Sequence, residues 1–319
     1  MTSALEQVGA VKSPASAAAA SQAVSTRFLE AFAAKIRNKH TRRAYIRGAH
    51  DFLGWRQRGS VASLAEVKPS DVAAYIEEFG RDRSAPTVKQ RLAAIRRLFD
   101  WLVANQVMPV NPASSVRGPP HRVKRGKTPA LAPAQARTLL DSIDVSEPAG
   151  LRDRALIALM VYAFAPIGAA LAMKVDDVRP RDGRLTVRLR GKGGKRHEMP
   201  CHHHLEAYLH AYIDGCGLAA DAAGPLFRTI GRGTDALTRT PLEQANAYAM
   251  VRRRAAVAGI EAKVGNHTFR ATGIAAYLRS GGALETAAAM ANHASPRTTQ
   301  LYHPRRSPFG LNEVERVPI

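Results

Sequence analysis

The stretch MPVNPASSVRGPPHRVKRGKTPALAP, residues 108–133, limits what this chain can fold into more than any other feature. Its prolines and glycines forbid a regular helix and break the helical pattern that runs up to it. Residues 112–130 therefore read as a linker, with one domain over 25–111 and a second over 131–319. A chain of 319 residues is long enough to give each domain its own core. Residues 1–24, rich in Ala and Ser, read as a disordered tail. They lack the basic start and long apolar run of a secretory signal.

The first domain reads as helical throughout. In STRFLEAFAAKIRN, Phe28, Phe32 and Ile36 recur every four residues, which makes one apolar stripe. HTRRAYIRGAHDFLGWRQRG places Tyr45, Phe52 and Trp55 inward and Arg42, Arg43 and Arg47 outward. KPSDVAAYIEEFG opens on Ser70 or Asp71 as a cap and closes at Gly80. In APTVKQRLAAIRRLFDWLVANQ, the inward set is Val88, Leu92, Ile95, Leu98, Phe99 and Leu102. Lys89, Arg91, Arg96 and Arg97 fall on the outer face.

Basic outer faces on successive helices fit the charge balance, with 47 Lys and Arg against 26 Asp and Glu and a formal net charge of +21. Such an excess points to a polyanion, because basic side chains release the counterions condensed on phosphates. The sequence shows neither an apolar run long enough to span a membrane nor a lipidation motif, so nucleic acid is favoured over a lipid surface. Lys124 and Arg125 in the linker suit a strap along a phosphate backbone, with the two domains closing around a duplex. Cys201 and Cys216 are the only cysteines. No disulfide framework follows, and a reducing, cytoplasmic home is expected.

The second domain reads as mainly α with a small β-sheet. Helices are expected over PAQARTLLDSI and LRDRALIALMVYAF, then over 203–214, 241–258, 268–280 and 284–291. Between them GRLTVRLRGKGGKRHEMP reads as a hairpin: Leu185, Val187 and Leu189 alternate with Thr186, Arg188 and Arg190, and GKGG supplies the turn. The run CHHH, Cys201–His204, is a poor metal site because adjacent side chains do not converge on one tetrahedral ion. His204 is better placed at the start of the next helix.

The chemistry concentrates in GNHTFRATGIAAYLRSGGALETAAAMANHASPRTTQLYH. His267 and Arg270 stand three apart, neighbours on one helical face. His293 lies 23 residues after Arg270, and Tyr302 nine after His293. Upstream, Lys192 sits in the hairpin turn, where a long ammonium can reach a cleft. This set lacks the paired carboxylates that would hold Mg²⁺ in a nuclease. It suits phosphoryl transfer without metal or other cofactor, in which cationic donors hold nonbridging oxygens and Tyr302 offers a hydroxyl nucleophile.

HTFR, NHASPRTTQLYH and GKGGKRHEMP, in this order and spacing, resemble the catalytic boxes of the tyrosine recombinase (phage integrase) family. LRDRALIALMVYAF looks like the approach to the first box. The resemblance covers nearly the whole chain. It implies a helical N-terminal core-binding domain followed by an α+β catalytic domain acting on double-stranded DNA. It also implies the roles: Tyr302 attacks the scissile phosphate to give a 3′-phosphotyrosyl link, and Lys192 is the general acid on the leaving 5′ oxygen. His267 assists as base, while Arg270 and His293 stabilise the phosphoryl oxygens. Bond energy is kept in the phosphotyrosine, and strand exchange passes through a Holliday junction in a homotetramer. The tail SPFGLNEVERVPI would dock on a neighbouring subunit.

Two positions depart from the pattern. The first catalytic Arg of the family should fall thirteen residues after Asp153, where this chain has Pro166, and the acidic residue three further on is Ala169. Arg152 and Arg154 lie a whole helix earlier. Proline offers phosphate no hydrogen bond, whereas Arg offers two. The resemblance therefore implies a recombinase with impaired turnover. The alternatives are a catalytically inactive DNA-binding protein of the same fold and a DNA-relaxing enzyme using the same phosphotyrosine chemistry.

Overall fold

The computed structural model describes residues 28–57, 64–121, 129–191, 196–293 and 295–302. The expected tail over 1–24, Lys124, Arg125 and Lys192 lie outside the described residues. The chain divides into two compact units, Met1–Arg122 and Val123–Ile319.

The first unit contains a helical segment over 28–33 and three longer helices, α1 (Lys39–Gln57), α2 (Pro69–Gly80) and α3 (Ala85–Ala104). The inward set read from the α3 sequence is buried in full, together with Phe32, Phe52, Val72 and Tyr75. Phe52 is the hub, meeting Tyr75 and Phe99 edge-on at ring separations of 5.2 and 5.8 Å. Lys68, rather than Ser70 or Asp71, is the N-cap of α2. Asp71 acts one turn in, its carboxylate accepting the Lys68 backbone N–H at 2.8 Å, which satisfies a donor left open at the helix start.

Two arginines expected on the outer face of α3 turn inward. Arg91 donates to Asp51 at 2.6 Å and to the carbonyls of Arg47 and Gly48, and its guanidinium lies 4.3 Å from the Phe79 ring centroid. Its side chain keeps only 11% of its surface exposed. Arg96 donates to the carbonyls of Ala113 and Val116. Helical periodicity places both on the rim of the apolar stripe, where a long side chain can fold back to reach carbonyls. The beginning of the expected linker is therefore tied down, with Ala113 and Val116 buried in the helical unit.

In the second unit, α4 (Pro133–Asp141), α5 (Pro148–Tyr162) and the short α6 (Ile167–Ala170) precede the sheet. α5 is buried continuously from Ala155 to Val161, so it is the central helix and has no polar face. Near its start, Arg152 donates to Asp153 and to the Arg228 carbonyl, and Arg254 also pairs with Asp153. Arg152 is thereby committed to the core, and Arg154 stacks over the Tyr208 ring at 4.5 Å.

The expected hairpin is two-thirds of an antiparallel sheet ordered β1 (Val178–Arg181), β2 (Arg184–Arg190), β3 (Arg196–Pro200). Leu185, Val187 and Leu189 point into the core as the alternation requires. After α7 (His203–Gly215) comes a second sheet that sequence reading missed, β4 (Arg228–Ile230) paired with β5 (Leu237–Pro241). It displaces the start of the next helix, expected at 241, to α8 (Gln244–Val257). The chain continues through α9 (Asn266–Arg279), α10 (Leu284–Met290) and α11 (Pro296–Gln300).

α9 crosses α5 closely at Gly273. A Cβ there would stand 1.9 Å from the Val161 carbonyl oxygen and 2.9 Å from the Phe164 ring, so only hydrogen fits. Beneath this crossing Phe164, Ile274, Leu278, Ala287 and Ala291 form a small separate cluster, with Tyr302 packed against it.

Candidate active site

Three helix ends bring together four of the expected residues, His267, Arg270, His293 and Tyr302. α9 begins at N-cap Gly265, whose N–H is accepted by Thr268 Oγ1 at 3.1 Å. That puts His267 in the first turn and Arg270 one turn further, turned into the protein and buried. α10 closes through Asn292 in the left-handed region (φ 49°). The Asn292 N–H reaches the Ala289 carbonyl and the His293 N–H reaches Ala288, both at 2.9 Å. This glycine-like closure, made here by Asn, fixes where His293 leaves the helix. α11 begins at Ser295 and Pro296 and delivers Tyr302 two residues beyond its end.

The result is two linked pairs. His267 Nε2 lies 2.7 Å from the Tyr302 hydroxyl. Arg270 Nη2 lies 2.7 Å from His293 Nε2 and donates at 2.7 Å to the Ala291 carbonyl, while Nη1 donates to the Phe164 carbonyl. The rings of His293 and Tyr302 are nearly parallel, with centroids 6.2 Å apart. With Nη2 fully used, the N–H of Nε and one N–H of Nη1 are without a partner among the described residues.

Burial sets the charge states. It pushes the Tyr302 phenol above its ordinary pKa, and Arg270 offsets this only in part. The phenol therefore rests protonated at neutral pH. Burial, reinforced by Arg270, holds His267 below its ordinary value even though part of its ring meets solvent. Burial, then Arg270 and His267, take His293 down to about 4. Both imidazoles are thus neutral near pH 7, and His267 can accept the phenolic proton.

Pro166 stands at the N-cap of α6 (φ −65°, ψ 137°), exposed, one position earlier than a first-turn placement. Its carbonyl accepts the N–H groups of Ala169 and Ala170, and no helical hydrogen bond is lost by its lacking N–H. The segment leading to it borders the site through the Phe164 carbonyl on Arg270, and Phe164 itself holds a positive φ of 48°. Such a backbone is uncommon for a bulky residue and is held by its surroundings. Sequence reasoning missed two struts. His197 Nε2 donates to the Met290 carbonyl at 2.9 Å, tying β3 to the end of α10, and Thr299 Oγ1 contacts His293 Nδ1 at 2.7 Å. Among the described residues no group of three His, Cys, Asp or Glu is arranged around a metal position.

Of the expected DNA-facing residues, Arg42, Arg43, Arg47, Lys89 and Arg97 are exposed, whereas Arg91 and Arg96 are engaged internally as described. None of the described helices is long and apolar enough to cross a membrane.

The phage integrase family pattern matches residues 129–307, more than half of the chain. The chain belongs to this family. The N-terminal SAM-like domain of phage integrases matches residues 26–106, so both expected parts of a tyrosine recombinase are present. A tyrosine recombinase XerD of Ralstonia nicotianae is 30% identical over 270 residues, covering 83% of each chain. XerD of Xanthomonas axonopodis pv. citri is 29% identical, covering 89% of this chain and 93% of that one. Among solved structures, the XerH site-specific recombinase bound to its difH substrate superposes with a TM-score of 0.65. It shares 19% identity and covers 99% of this chain and 88% of that one. A lambda integrase tetramer bound to a Holliday junction gives 0.63 at 16% identity, covering 90% and 79%. At these identities the structural likeness speaks for the recombinase fold.

Proposed function

We propose that this tyrosine recombinase cuts and rejoins DNA at specific sites through a covalent link between Tyr302 and a 3′ phosphate. The observation that carries this reading is the 2.7 Å contact of His267 Nε2 with the Tyr302 hydroxyl, beside the buried Arg270–His293 pair. As the phenolic oxygen attacks phosphorus, its proton passes to His267. Charge on the nonbridging oxygens meets Arg270, and meets His293 once the bound phosphate has raised its pKa and Nε2 has taken a proton from solvent; the leaving 5′ oxygen takes a proton from Lys192. The P–O5′ bond breaks as the P–O(Tyr) bond forms, so no external energy source is needed to rejoin the strand. Two such rounds on paired sites, within a homotetramer, complete the exchange.

Pro166 lowers the rate of this chemistry, because a preorganised phosphate donor is missing and such donors are each worth about 10²–10³ in rate. A binder that occupies recombination sites without cutting them is the second reading, favoured by that one position. A nicked suicide substrate separates the two. A covalent adduct that vanishes in Tyr302→Phe supports the recombinase. Tight binding with no adduct after long incubation supports the binder and overturns the first reading.

A further inference from the structure

Thr299 touches both halves of the site. It is buried completely on α11, three residues before the nucleophile. Its hydroxyl lies 2.7 Å from His293 Nδ1, and its backbone carbonyl accepts the Tyr302 N–H at 2.9 Å. One residue therefore grips the imidazole with its side chain and the tyrosine with its main chain.

The direction of each hydrogen bond follows from what the groups can do. A guanidinium only donates, so at the 2.7 Å contact between Arg270 Nη2 and His293 Nε2 the imidazole nitrogen is the acceptor. A neutral His293 must then carry its single proton on Nδ1 and donate it to Thr299 Oγ1. An imidazolium would also donate from Nδ1, and the hydroxyl oxygen accepts in both states. Thr299 thus holds the ring through a change of charge when Nε2 turns from Arg270 to a phosphate oxygen.

We infer that Thr299 is a positioning residue for strand cleavage: it accepts the Nδ1 proton that the contact with Arg270 leaves on His293, and so fixes the orientation of the ring and its spacing from Tyr302. The catalytic part of this inference rests on the proposed phosphotyrosyl chemistry; the tautomer part does not. Second partners behind functional imidazoles fix ring orientation in the same way at metal sites, where their removal typically costs about 10–100-fold. A comparable loss in adduct formation is expected here.

The test uses the full chain labelled with ¹⁵N-histidine. Long-range ¹H–¹⁵N spectra are recorded for the wild type, Thr299→Val and Thr299→Ser, with His293→Gln identifying the His293 signals. The wild type and T299S should show the Nδ1–H tautomer at neutral pH with that proton slow to exchange with water, and T299V should keep the tautomer set by Arg270 but lose the slow exchange. On the suicide substrate T299V should lose about 10–100-fold in adduct rate while T299S stays within a few-fold, with melting temperatures recorded alongside. A wild-type His293 found as Nε2–H overturns the inference without any variant, even if T299V fails to fold. A folded T299V that keeps both the slow Nδ1–H exchange and the wild-type rate also overturns it. If the wild type forms no adduct, the phosphotyrosyl reading fails, and the spectra still decide the tautomer.

Discussion

His267 and Tyr302, 35 residues apart in sequence, meet at 2.7 Å between a ring nitrogen and a phenolic oxygen. The contact joins the first turn of α9 to the residue just past α11. In the proposed reaction this contact is the base–nucleophile pair. Since burial holds His267 below its ordinary pKa and the phenol above its own, the proton rests on Tyr302 at neutral pH. Adduct formation should stay level as pH falls from 7.5 to 6.5 and decline only further into acid. Rates on the suicide substrate across pH 5–8 check this. A decline already centred above pH 6.5 would mean that His267 is not depressed.

The same burial links stability to pH. His293 is depressed to about 4 in the folded chain, against an ordinary value of about 6.5. Between these two values the unfolded chain binds the extra proton and the folded chain does not. The contribution is therefore intact above pH 6.5 and is lost as pH falls toward 4. Melting temperatures at pH 7, 5.5 and 4.5 should decrease in that order, and H293Q should flatten the trend.

Pro166→Arg should raise adduct yield without a folding cost. The position is exposed, and its φ and ψ are open to any L-residue. A restored phosphate donor is expected to be worth about 10²–10³ in rate. Unchanged adduct kinetics with an unchanged melting temperature would show that residue 166 does not border the bound phosphate.

The basic residues of the helical unit should separate into two classes. Replacing Arg43, Arg47, Lys89 or Arg97 by Ala should leave the melting temperature nearly unchanged, while Arg42→Ala gives up one exposed bond to the Ile36 carbonyl. Each that contacts a phosphate should reduce the salt slope of DNA binding by about one unit. Arg91→Ala and Arg96→Ala should instead lower the melting temperature, because they remove bonds to part-buried carbonyls of Gly48, Ala113 and Val116 and the packing of Arg91 on Phe79. Paired titrations and melts of these variants check the division.

Gly273→Ala should destabilise the catalytic unit by about 1–3 kcal/mol or more, since its methyl would overlap the Val161 carbonyl at 1.9 Å. Urea unfolding reads this directly. A variant as stable as the wild type would mean that α5 and α9 separate easily.

Periodicity explains which parts of this fold could be read in advance. Val88 through Leu102 repeat with the helical period and are all buried, and Leu185, Val187 and Leu189 alternate with the period of a strand. The strands β1, β4 and β5 span three to five residues each and lack a burial alternation, so no local pattern exposes them. Arg91 and Arg96 fold back from the outer face that periodicity gives them, because helical phase sets the direction of a Cβ and not where a long side chain ends. Of the site, His267, Arg270, His293 and Tyr302 were legible as a spaced set of reactive types. Thr299 was not, because a threonine beside a histidine declares nothing until the fold brings them together.

Arg270 is gripped by carbonyls at the ends of two helices, Phe164 just after α5 and Ala291 just after α10, where peptide dipoles concentrate negative charge. Its loss would leave those carbonyls unmet, so folding itself guards this cation. Position 166 has no such guardian: an exposed helix cap accepts Pro or Arg alike. A screen for well-folded variants would therefore reject changes at 270 and pass over 166 in silence. In this architecture the grip on DNA and the integrity of the fold can outlast the capacity to cut.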